Sequence, residues 1–139
     1  MMPASCTWKR IASYRLAVRL VLLVYAIAFL IGTSTHLAGI LRGLWFPHHP
    51  LLNAYWTCLL FLDPLTVVLL VRTPKAGVLL ALIIMLSDVL INSAVSYLYL
   101  NAGGPYAVNA FVQLQSVFLG FLLGSAPFVW PHLEARDTA

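Results

Sequence analysis

The sequence predicts an all-α integral membrane protein, a four-helix bundle with both termini in the cytoplasm. Three observations predict it: a composition too apolar for water, four apolar runs of spanning length, and a one-sided distribution of basic residues. Of 139 residues, 62% are hydrophobic and 9% charged, and the mean hydropathy is +0.94; charged residues make up roughly a quarter of a soluble domain. A water-soluble fold cannot hide that much apolar surface. Each crossing takes roughly 20 residues, so four crossings fill a chain of this length as one domain.

Four runs carry the apolar signal, at about 16–41, 51–71, 77–100 and 107–129, each long enough to span. Residues 16–131 form the transmembrane domain, 1–15 a cytoplasmic segment and 132–139 a short polar cytoplasmic tail. Pro and Gly punctuate the connections. Thr73-Pro74 reads as an N-cap followed by Pro at the first helical position, opening the third helix after a tight hairpin. Lys9, Arg10, Arg15, Arg19, Arg72, Lys75 and Arg136 fall on one side and Arg42 alone on the other, which makes the first side cytoplasmic by the positive-inside rule. The net charge of +4 is thereby explained by insertion, and no nucleic-acid partner is expected.

Aromatic residues give an independent frame, because Trp and Tyr prefer the water–lipid boundary. Trp45, Tyr55, Trp56, Tyr97, Tyr99 and Tyr106 gather at the outer ends, and Trp8, Tyr14 and Trp130 at the inner ends. The first run is much longer than the roughly 7–15 apolar residues of a signal peptide, so it is expected to be retained. Cys6 and Cys58 lie at different depths, and no disulfide is expected.

An ionisable side chain within hydrocarbon costs a few kcal/mol or more, so each one is a functional hypothesis. There are two acids here, Asp63 and Asp88, near the middles of the second and third runs. Around them, residues recur at steps of three and four and so share a helix face. On the third helix these are Gly77, Ala81, Met85, Asp88, Asn92, Ser96 and Tyr99; on the fourth Asn109, Gln113, Ser116, Gly120, Gly124 and Pro127; on the first Tyr25, Phe29, Gly32, His36, Gly39 and Gly43. The small residues, with Gly-xxx-Gly pairs on the first and fourth helices, permit close approach. These faces are expected to meet in a polar interior opening toward the outer side.

Counting depth at about 1.5 Å per residue makes a constellation of His36, Asp88, Asn92 and Gln113 the candidate ligand-binding site, with Asp63 and Asp88 as candidate proton or ion sites. Pro64 removes a backbone donor and frees the Leu60 carbonyl beside Asp63. That pair reads either as a water, proton or cation site or as a structural kink held by a neutral acid. His36 alone reads equally as a packing residue. His48 and His49 sit in a Pro-framed outer turn without further ligands at suitable spacing, so no metal is expected. No Gly-x-Ser-x-Gly, His-Glu-x-x-His, Gly-Lys-Ser or Cys-x-x-Cys motif occurs; no catalytic residue or cofactor is assigned, and an enzyme is not the expected reading.

The stretches Thr35-His36-Leu37-Ala38-Gly39-Ile40, Leu62-Asp63-Pro64-Leu65, Arg72-Thr73-Pro74-Lys75-Ala76-Gly77 and Ile84 to Asn92 resemble a group of small uncharacterised bacterial four-helix membrane proteins. That resemblance covers the first three helices and implies a bacterial inner (cytoplasmic) membrane, with no activity attached. The acids in a central pocket are also similar to those of the EXPERA group of sterol isomerases and sigma-2-type receptors, although the glutamates of that group are absent here and no reaction transfers. The function expected is the binding of a small apolar or amphipathic molecule, or a lipid, in a polar intramembrane pocket. The alternatives are an oligomeric transporter or proton-conducting subunit, a membrane-embedded isomerase, and an interaction protein of a larger complex. Expected partners are membrane lipid, the ligand itself and further copies of the chain.

Overall fold

The computed structural model describes residues 15–43, 50–101 and 107–134. Within them the chain forms four helices, α1 (Leu16–Leu41), α2 (Pro50–Arg72), α3 (Pro74–Asn101) and α4 (Ala107–Glu134). At 1.5 Å per residue they are roughly 35–42 Å long, against a hydrocarbon core of about 30 Å, and all four are long and apolar enough to cross a membrane. This is an integral membrane four-helix bundle. Trp8, Lys9, Arg10, Tyr14, Cys6, Trp45, His48, His49, Tyr106, Arg136 and Asp137 lie outside the described residues, as do the side chains of Tyr99, Asn109 and Glu134.

α3 starts three residues before the expected 77, and the connection from α2 is Thr73 alone. The Thr73 N–H donates to the Leu69 carbonyl at 2.7 Å, closing α2, and its own carbonyl accepts from the Gly77 N–H at 3.0 Å, opening α3. Pro74 fits because the first helical position needs no donor. Gly77 is required by packing: a Cβ there would run into the backbone of Leu69 and Leu70. Gly43, by contrast, ends α1. Its φ of +64° and the Gly43 N–H to Ile40 carbonyl bond of 3.1 Å make a left-handed cap, so it takes no part in close helix packing.

α4 runs past Pro127 and Pro131 to Glu134, beyond the expected end at 129. Each proline removes one backbone donor, yet Val129 and Leu133 remain buried in the bundle, and the apolar contacts hold the helix on course. α1 packs on α2, α2 on α3 and α3 on α4, while α1 closes on α4 through a thinner contact. Arg15, Arg19, Arg72 and Lys75 mark one end of the bundle and Arg42 the other.

The inward faces of α1 and α3 follow the expected stripes: Tyr25, Phe29, Ala81, Met85, Asp88 and Ser96 are buried. The face of α4 does not. Gln113, Ser116, Gly120, Gly124 and Pro127 all point outward, and a Cβ on Gly120 or Gly124 would meet nothing within 4 Å. The inward stripe is instead Gln115, Phe118, Leu122, Ala126, Val129 and Leu133. The outward face keeps Leu114, Val117, Phe121 and Leu123 beside its small and polar residues, while Phe118 and Leu122 fill the space against α1. Tyr55 also departs from the boundary belt: it is half-buried, and its hydroxyl lies 3.0 Å from Ser87 Oγ on α3. Tyr97 remains outward-facing.

Candidate functional site

Asp88 sits about 21 Å along α3 from Pro74, and Asp63 about 20 Å along α2 from Pro50, so both acids are deep in the bundle. Both are buried, at 5% and 3% exposure. Their surroundings differ in a way that decides their chemistry. The Asp88 carboxyl is held by two amides: Asn92 Nδ2 donates to Oδ1 at 2.7 Å, and Gln115 Nε2 donates to Oδ2 at 2.5 Å. Asn92 also donates to Gln115 Oε1 at 3.2 Å, which closes a triangle tying α3 to α4. A hydrogen bond to a charged group is worth about 1.5–3 kcal/mol, and two of them offset a charge-burial cost of about 3 kcal/mol on insertion scales.

Asp63 has no such support. Among the described residues no donor hydrogen-bonds its carboxyl; His36 Nε2 stands 3.7 Å from Oδ2, within ion-pair range only. The same oxygen lies where a Cβ on residue 32 would come within 2.7 Å of it, so Gly32 is the gap in α1 that admits the acid. The hydroxyls that follow Gly32 on α1 bond to their own helix. Thr33 Oγ1 donates to the Phe29 carbonyl, Ser34 Oγ to Leu30 and Thr35 Oγ1 to Gly32, at 2.8–2.9 Å.

A cavity of about 250 Å³ connects the two acids. His36, Asp63, Asp88 and Gln115 supply its polar atoms, and Phe29, Ile84, Met85 and Phe118 its apolar walls. The lining also includes Ala28 and Gly32 on α1 and, at its edge, Ile31 and Thr35 on α1 and Phe111 and Leu114 on α4. These last four face outward, Ile31 at 60% and Leu114 at 67% exposure. The mouth therefore opens sideways, through the thin contact between α1 and α4.

Toward the basic end the cavity stops at an aromatic seal. Tyr25 meets Phe118 and Phe121 edge-on, with ring centroids 6.3 and 5.9 Å apart, and Phe29 meets Phe118 at 6.1 Å. The Tyr25 hydroxyl lies 2.6 Å from Ser125 Oγ, pinning α1 to α4 below the cavity.

The structure thus brings together His36, Asp63, Asp88 and Asn92, with Asn92 behind Asp88 rather than in the cavity wall. It does not bring in Gln113, which points away; Gln115 stands in its place. Residues two apart on a helix differ by about 200° in direction, so only one of the two glutamines can face inward. Gln115 shares the three-and-four spacing of Phe118, Leu122 and Ser125, the residues that complement Phe29 and Tyr25 on α1, and that pattern was the available signal. Among the described residues no group of His, Cys, Asp and Glu could hold a metal ion. No family model, curated protein or solved structure matches the chain.

Proposed function

We propose that this membrane protein binds a small amphipathic molecule that enters from the lipid between α1 and α4. The observation that carries the reading is the cavity itself: apolar walls, a floor of His36, Asp63, Asp88 and Gln115, and a mouth made of lipid-facing side chains. An apolar cavity of about 150 Å³ takes benzene, whereas drug-sized ligands fill about 300–1,000 Å³. At about 250 Å³ the site suits a polar head and the first part of an apolar chain, the remainder lying between α1 and α4 in the bilayer.

The ring contacts of Tyr25, Phe29 and Phe118 close the α1–α4 side of the cavity toward the basic end, which favours a dead-end binding site over a conduction path. The excess of Arg and Lys at that end supports a cytoplasmic placement for it, in keeping with the resemblance to small bacterial inner-membrane proteins.

Native mass spectrometry of the protein released from lipid nanodiscs tests the proposal. The wild-type chain should carry a retained amphiphile, and Leu114→Trp, which fills the mouth without touching the buried core, should lose most of it. Absence of any adduct, or equal retention by Leu114→Trp, would overturn the reading.

A further inference from the structure

The two acids of the cavity are not equivalent, and their difference bears on the class of ligand. Both carboxyl oxygens of Asp88 already accept amide N–H groups. Asp63 is as deeply buried but receives no hydrogen bond from the described residues, and its Oδ2 stands opposite His36 across a 3.7 Å gap. A carboxylate in a water-poor site is stabilised by a partner that brings positive charge and N–H donors together. Among the residues lining the cavity none is Lys or Arg, and His36 Nε2, at 3.7 Å, stands beyond hydrogen-bond distance of the carboxyl.

Building on the pocket proposed above, we propose that its ligand carries a protonated amine on an apolar chain, and that Asp63 reads the amine while Asp88 is held by Asn92 and Gln115. An anionic head would face two acids with no fixed cation beside it, which costs rather than stabilises. A small inorganic cation would need about six oxygen ligands, and this cavity is walled mostly by Phe, Ile, Met and Leu. An organic cation has no such need. The three phenylalanines of the lining, Phe29, Phe111 and Phe118, are also compatible with a positive head, since aromatic faces attract cations. The charge layout of the whole chain agrees: the cavity lies away from the end marked by Arg15, Arg19, Arg72 and Lys75.

Three photoreactive twelve-carbon probes, identical except for a terminal primary amine, hydroxyl or carboxylate, separate the possibilities. The full chain is labelled in zwitterionic-lipid nanodiscs at neutral pH, where an alkylamine is protonated, as lysine is, and adducts are mapped by peptide mass spectrometry. Labelling around Phe111, Leu114 and Phe118 should favour the amine over the carboxylate by at least about tenfold, as expected for one charge-assisted hydrogen bond, and over the alcohol by a smaller factor. In Asp63→Asn the three probes should label within about twofold to threefold of one another.

Equal labelling by all three heads in the wild-type chain would overturn the amine assignment and leave the pocket standing. Failure of every probe to label the cavity would overturn the pocket as well. Should Asp63→Asn not fold, the ranking of the three heads on the wild-type chain still decides the ligand class; should it fold and keep the amine preference, Asp63 is not the reader.

Discussion

The half of the bundle nearer the basic end and the half beyond it are built on different terms. In the first, Val18, Leu22, Tyr25, Leu70, Val78, Leu122 and Val129 are buried with almost no exposure, and the polar groups are closed off among themselves: Tyr25 on Ser125, and Thr66 Oγ1 on the Leu62 carbonyl at 2.9 Å. In the second, the interior holds two acids, an amide pair, a histidine and a cavity. Helices in lipid gain little by hiding apolar surface from one another, so packing and hydrogen bonds hold them together. The basic half invests in packing. The other half gives up packing and leaves the Asp63 carboxyl without a donor among the described residues, a cost that the proposed binding site would explain.

Substitutions that separate the two halves would sharpen or break this contrast. The largest effect is expected at Gly77, where even Ala must push against the backbone of Leu69 and Leu70; Gly77→Ala should destabilise the bundle by about 3 kcal/mol or prevent assembly, read as a large fall in thermal midpoint in detergent. Leu122→Ala, in the dry half, should cost about 2 kcal/mol. That is the low end for a core truncation, because in a bilayer the cavity term remains while transfer from water contributes little. Its amphiphile adduct in native mass spectrometry should survive.

In the polar half the order of effects reverses. Gln115→Leu removes one of the two amides on Asp88 and should weaken amphiphile binding about tenfold, with a stability loss of about 1–2 kcal/mol; Gln113→Leu should leave both unchanged. If Gln113→Leu proves the more damaging, the inward face assigned to α4 is wrong. A small effect on stability is expected for Gly32→Ala, whose methyl group displaces the Asp63 carboxyl. Binding should fall several-fold while the thermal midpoint moves by only a few degrees, and Gly39→Ala, with nothing near its Cβ, should be silent in both assays.

Much of this was legible in the residues themselves. Length and apolarity of the four runs determine four spanning helices, because hydrocarbon forces each backbone to satisfy its own hydrogen bonds. Thr73-Pro74 determines the sharp turn between α2 and α3, and the stripes through Asp88 on α3 and through Gly32 and His36 on α1 determine which sides turn inward, since polar groups avoid lipid. What only the tertiary structure decided was the rotation of α4 and, with it, the partner of Asp88. On that helix both faces mix polar or small residues with bulky apolar ones, so the pattern that orients α1 and α3 does not single out one side. Gln113 and Gln115 each sit on a three-and-four stripe, and the choice between them falls to the packing of Phe118 and Leu122 against α1 and to the two hydrogen bonds that side-chain amides donate to Asp88. The same holds for the cavity: its acids can be counted along the chain, but the gap at Gly32, the seal at Tyr25 and the sideways mouth exist only once α1 and α4 stand side by side.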